Sequence, residues 1–289
     1  MVGTFADSWK LTKTSFRLIR EDRALLVFPL VAGLSLLGLV ALLLLGEYWL
    51  VLPGVRSQGL TGAEYGLAAL LAIATYFGMA VVSVYCTAAL VGAATLKLNG
   101  QQPTAADGWK VARSRLGRLI AWALLSATIG LLIQLVASRL KGLGGLVVGL
   151  VGGVTWSIVT YFMIPVLLYE DQKPWPALKR SAHLFTSTLG RSLVSNLVLG
   201  LLLGVGIVVA VIVAILGFVV VAGGALLLGL TLVGIALAVG VIVALIGSAA
   251  EGILRAALYR YATTGKIEPT LLPSAYQLSA NAPPLGPLA

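Results

Sequence analysis

Charge is scarce in this chain. Asp, Glu, Lys and Arg together make up 10% of its 289 residues, against about a quarter in soluble domains. Hydrophobic residues make up 59%, more than a water-soluble fold can hide, so lipid must solvate them. Cysteine and histidine are scarcer still. A single Cys, Cys86, excludes an internal disulfide and argues against a cysteine metal site. A single His, His183, excludes any two-histidine metal motif. Catalytic signatures are missing too. Gly265-Lys266 has Arg260 where a phosphate-binding loop needs its first glycine. A Ser-His-Asp triad has only His183 to use, on the flank of a basic segment. The expectation is a protein that is not an enzyme and holds no cofactor and no metal.

What the chain does have is long apolar runs. Six of them, Ala24–Gly46, Gly66–Leu98, Leu116–Leu140, Leu143–Tyr169, Leu193–Val221 and Gly223–Tyr261, reach the roughly 17–25 residues that a transmembrane helix needs. The first is longer than the roughly 7–15 apolar residues of a signal peptide. No small-residue cleavage site follows it before Glu47, so it is read as a retained span. At over thirty residues, the second and last runs exceed the bilayer and must tilt or protrude.

The cations alternate from side to side. One side collects Lys10, Lys13, Arg17, Arg20 and Arg23, then Lys97, Lys110, Arg113, Arg115 and Arg118. It continues with Lys173, Lys179, Arg180 and Arg191, then Arg255, Arg260 and Lys266. The other side has only Arg56, Arg139 and Lys141. Positive residues stay cytoplasmic, which places both termini inside and the chain in the cell membrane as a multi-pass protein. The net charge of +10 therefore points to anionic lipid head groups as partners, and not to nucleic acid.

A threefold pattern runs through the basic connectors. Trp9, Trp109 and Trp175 each open a short basic stretch. Four residues after each Trp stands a cation (Lys13, Arg113, Lys179). Apolar residues follow at seven (Phe16, Leu116, Ala182) and at ten (Ile19, Leu119, Phe185). Spacings of seven and ten fall on one face of a helix. The pattern is that of an amphipathic helix in the membrane interface, with Trp at head-group level and basic side chains toward phosphate. The anionic-lipid contacts read from it are Trp9, Lys10, Lys13, Arg17, Trp109, Lys110, Arg113, Trp175, Lys179 and Arg180.

The fold class that follows is an all-α membrane protein. Six transmembrane helices form three helical hairpins, each preceded by a basic amphipathic interfacial helix. Residues 1–265 make one membrane domain with repeat-like units at about 1–100, 101–172 and 173–265, and 266–289 is a Pro-rich cytoplasmic tail without fixed structure.

The two ends of the chain resemble an uncharacterised prokaryotic six-span membrane family, the 6159 family of unknown function. The resemblance lies in Gly3-Thr4-Phe5-Ala6-Asp7-Ser8-Trp9, Ser15-Phe16-Arg17 and Arg23 through Leu30 at the start. At the end it lies in Ala256-Ala257-Leu258-Tyr259-Arg260-Tyr261-Ala262-Thr263-Thr264-Gly265. It implies the architecture and carries over no catalytic residue.

Within the spans, Gly145, Gly149 and Gly153, and Gly200 with Gly204, form small-residue ridges that serve helix packing. They read either as intrachain contacts or as the seam of a homo-oligomer or membrane-protein partner. Pro165 and Pro29 each remove a helical N–H donor and predict bends, at Tyr161 and Leu25 respectively. Ser and Thr can bond to their own helix carbonyls; Gln134 and Asn196 need protein or a wet cavity. Glu251 has Arg255 four residues on, at ion-pair spacing. The pair is either an anchor, with Arg255 reaching phosphate, or part of a polar site for a proton, an ion or a head group together with Gln134 and Asn196. Glu170-Asp171 reads as a solvated helix exit.

Overall fold

The computed structural model describes residues 23–56, 61–140, 143–188, 208–209 and 211–264. All regular structure among them is helical. A 3-10 turn, Arg23–Leu26, leads directly into α1 (Val27–Arg56). Then come α2 (Gly62–Leu98), α3 (Ala105–Ser114), α4 (Leu116–Arg139), α5 (Leu143–Val159), α6 (Met163–Tyr169) and α7 (Pro174–Thr188). Two further helices follow, α8 (Val211–Ala222) and α9 (Leu226–Thr264).

Five stretches are helical, long and apolar enough to cross a membrane: Ala24–Trp49, Gly62–Leu98, Leu116–Arg139, Val147–Tyr169 and Leu226–Thr264. They suggest a membrane protein. Of the run expected at Leu193–Val221, only residues 208–209 and those of α8 are described, all helical, and the rest lie outside the described residues.

Local chemistry sets the helix ends. Thr61 and Thr104 start α2 and α3 with capping boxes. The Thr61 N–H donates to Glu64 Oε2 at 2.7 Å and the Glu64 N–H to Thr61 Oγ1 at 3.4 Å. Thr104 and Asp107 repeat the exchange at 2.9 and 3.4 Å. Helix α2 stops at Gly100, whose φ of 79° only glycine adopts readily. There the Gly100 N–H donates to the Lys97 carbonyl and the Gln101 N–H to that of Leu96, a glycine-terminated helix end. Gly224, φ 91°, ends α8 in the same way and turns the chain into α9.

Both prolines mark discontinuities. The helix predicted to bend at Tyr161 is broken outright, with a turn over residues 160–162 and α6 restarting at Met163, so that Pro165 falls in its first turn. Pro29 likewise sits in the first turn of α1, where an N–H has no helical partner to lose. Its effect is a change of helix type at the entrance. Arg115 departs from the sequence reading. With φ −120° and ψ 18° it separates α3 from α4, so Trp109, Leu116 and Leu119 do not share one continuous helix face. Trp175, Ala182 and Phe185 do belong to one helix, α7.

The described chain falls into two compact units, Val27–Phe185 and, on either side of it in sequence, residues 23–26 with 186–264. In the first unit, burial gathers at one end. It takes in Phe28 at the start of α1, Ala88 to Ala94 at the end of α2, Gly108 and Ala112 of α3, and Leu119, Trp122 and Ala123 at the start of α4. Phe162 to Leu168 and, on α7, Ala177, Ser181, Leu184 and Phe185 complete it. In the second unit the buried residues of α9 run mainly from Gly247 to Ala262.

Candidate functional site

The chain beside Tyr169, where α6 ends, carries two carboxylates in succession, and three arginines reach them. Arg115 and Arg118 stand at the start of α4, the positive end of its helix dipole, where cations are disfavoured. Asp171 compensates, accepting from Arg115 Nη1 at 3.0 Å and from Arg118 Nη2 on the same oxygen. The hydrogen bond and charge of Arg118, then those of Arg115, hold the Asp171 carboxyl below its ordinary range. Glu170 caps the C-terminal, negative end of α6, and Arg180 of α7 answers it through Nε, 3.2 Å from each carboxylate oxygen. Gln172 adds its side-chain amide to Glu170 at 3.2 Å. Glu170-Asp171, read from sequence as a solvated helix exit, is solvated at Asp171, and it also ties α4 and α7 to the end of α6. The pairing went unread because the partners lie 53, 56 and 10 residues apart in sequence.

At the other end of α6, the break before it is sealed from α7. The Phe162 N–H, buried, donates to the Ser181 hydroxyl at 3.0 Å. An unpaired buried N–H would cost about 1–3 kcal/mol.

The residues read as lipid contacts have separate fates. Trp9, Lys10, Lys13 and Arg17 lie outside the described residues. Trp109 packs between Phe28 and Tyr85, with ring centroids 5.3 and 5.2 Å away. Gly108 beside it makes the seat possible, since a Cβ there would lie 2.6 Å from both the Ala89 carbonyl oxygen and the Phe28 ring. Lys110, Arg113 and Lys179 are exposed, and so is Trp175, at 59%. Arg180 is engaged by Glu170, its side chain 12% exposed. Asp107, by contrast, lies outside this cluster; its carboxyl is held low by Thr104, with a smaller contribution from Lys110.

The intramembrane polar candidates are placed as follows. Arg255 Nη2 pairs with Glu251 Oε1 along α9, and the Glu251 side chain is 47% exposed although Ala249, Ala250 and Gly252 around it are buried. Gln134 is exposed on α4, and Asn196 lies outside the described residues. Thr87, Thr128 and Thr160 each donate to the carbonyl four residues back, at 2.8 Å.

Of the glycine ridges, Gly145 meets α4 directly, a Cβ there coming 2.5 Å from the Ala137 carbonyl oxygen. Gly149 is in ordinary contact with Ala137, and Gly153 faces open space. Gly200 and Gly204 lie outside the described residues. A second close approach lies outside these ridges: Gly217 of α8 and Gly229 of α9 each crowd the other's carbonyl, at 3.0 and 2.7 Å from a Cβ.

No curated protein and no solved structure matches the chain. The family model described as "Family of unknown function (DUF6159)" matches residues 65–268, which covers every described element from α2 to α9. The chain belongs to that family.

Proposed function

We propose that this chain is a non-enzymatic, lipid-engaging module of the cytoplasmic membrane, acting in membrane organisation or lipid movement. In this reading six spans form three hairpins, each led by a basic amphipathic interfacial helix, with both termini cytoplasmic and anionic lipid as the partner. The observation that carries it is the exposure of Lys110, Arg113 and Lys179, with Trp175, beside the ends of candidate spans, while Arg115, Arg118 and Arg180 are paired with carboxylates of the protein. Exposed cations beside an apolar span attract anionic head groups by about 1 kcal/mol each.

Reconstitution into vesicles with and without anionic lipid tests this reading. The expected result is preferential association with the anionic lipid and its redistribution between leaflets or into patches. Equal association and no redistribution in both vesicles contradicts it.

A second reading, a small-solute transporter or channel, draws on the half-exposed Glu251 within an apolar helix. A carboxylate at that position is costly unless it is paired, as here with Arg255, or serves a wet path. Solute flux in liposomes that vanishes in Glu251→Gln supports this reading against the first.

A further inference from the structure

Among the described residues, the ion pairs at the end of α6 bring together more cations than carboxylates. Three guanidinium groups, of Arg115, Arg118 and Arg180, meet two carboxylates, of Glu170 and Asp171. Asp171 spends a single oxygen on both Arg115 and Arg118. Among the described residues, the buried Nη1 atoms of Arg118 and Arg180 have no hydrogen-bond partner, and neither has Gln172 Oε1. Unfilled donors on a buried guanidinium are expensive, and the arginine fork suits an anion that offers several oxygens at once. The position of the cluster indicates which anion. Arg115 and Arg118 flank Leu116, the first residue of one candidate span, and Glu170 and Asp171 follow Tyr169, the last residue of another. An anion at the mouth of two spans meets the lipid phosphate layer.

We infer that Arg115 and Arg118 form a binding site for the phosphate of an anionic lipid, with Asp171 occupying it as a displaceable stand-in. This names the site of the lipid reading above and rests on it. The Asp171 side chain is 74% exposed, and exposed ion pairs of that kind hold weakly. A phosphate takes over the two donors that Asp171 releases, and its further oxygens supply acceptors that one carboxylate oxygen does not. The exposed cations near it in sequence, Lys110, Arg113 and Lys179, raise the local concentration of anionic lipid and disfavour head groups that carry a positive charge.

The test is native mass spectrometry of the full-length protein titrated with phosphatidylglycerol and with phosphatidylcholine. The wild type retains phosphatidylglycerol in preference. Arg115→Gln and Arg118→Gln each cut that preference about fivefold, and Asp171→Asn raises it, because the internal competitor has lost its charge. Should an arginine variant fail to fold, the gain in Asp171→Asn still decides.

No gain in Asp171→Asn overturns the site and leaves Asp171 a structural tie. If Lys110→Gln with Arg113→Gln and Lys179→Gln abolishes the preference while Arg118→Gln keeps it, the site fails and the lipid reading stands. No preference in the wild type ends both. Inorganic phosphate that raises the melting temperature in detergent, without selective lipid retention, assigns the arginines to free phosphate and overturns the lipid source.

Discussion

Near the start of α4, Leu119 and Trp122 are buried; near its end, Leu132, Leu135 and Val136 are exposed. Helix α2 runs the other way in sequence and shows the same gradient, open from Tyr65 to Ile73 and packed from Ala88 to Ala94. Both ends are apolar, so hydrophobicity does not separate them. Between the packed stretch of α2 and the open stretch of α1, side-chain size does. The packed stretch of α2 is Cys-Thr-Ala-Ala-Leu-Val-Gly-Ala-Ala over residues 86–94, whereas the open stretch of α1 from Leu34 to Leu45 is mostly leucine. In lipid, helices associate by close packing and not by expulsion of water, so small residues mark where backbones meet and large ones where lipid serves equally well. The second unit follows the same rule, with buried Gly247, Ala249, Ala250, Gly252, Ala256 and Ala257 on α9.

Substitutions at the two ends separate these modes of support. Leu119→Ala empties a filled position and is expected to cost about 2–5 kcal/mol. Leu132→Ala, exposed on the same helix, should stay within about 0.5 kcal/mol. Chemical denaturation of the two variants in one detergent measures the difference, and equal losses would break the comparison.

Gly108→Ala drives a methyl group toward a backbone oxygen that cannot move aside, and should cost about 3 kcal/mol. Gly38→Ala, with nothing within 4 Å of its Cβ position, should be neutral or gain up to about 1 kcal/mol of helix propensity; thermal melts of the pair sharpen the contrast.

Ser181→Ala leaves the Phe162 N–H without its acceptor and should cost about 1–3 kcal/mol. Ser181→Thr, which keeps the hydroxyl, should restore part of that loss in the same melts.

Acid has the smallest effect. The Asp171 carboxyl is depressed in the fold, so its contribution is present above the unfolded aspartate value of about 3.9. That contribution fades as pH falls through the lower folded value. The stability difference between wild type and Asp171→Asn should therefore stay constant from neutral pH down to about pH 4 and shrink below it.

Much of this architecture was legible in the residues. The spans at Gly62–Leu98 and Leu116–Arg139 lie within a few positions of their apolar limits, because a long apolar run has few alternatives to a helix. Pro165 announced the break before α6, and the four-residue spacing announced the Glu251–Arg255 pair. The capping boxes at Thr61 and Thr104 are also written in the sequence, as Thr-x-x-Glu and Thr-x-x-Asp. The stop at Arg115 had no such signal. No Pro marks it and Gly117, two residues on, lies within α4; α3 seats against α2 through Gly108 and Gly92. The candidate site was hidden for the same reason. Arg118 and Asp171 come together only once α4 and α6 are in place, and no local spacing encodes that meeting.

The account depends on the basic connectors sharing one face of the membrane. In a Cys86→Ala background, cysteines placed singly at Lys110, Lys179 and Arg139, all exposed, can be labelled with a membrane-impermeant maleimide in right-side-out and inverted vesicles. The account predicts that Lys110→Cys and Lys179→Cys react only in inverted vesicles and Arg139→Cys only in right-side-out ones. Labelling of Lys110→Cys and Lys179→Cys from opposite sides would contradict it.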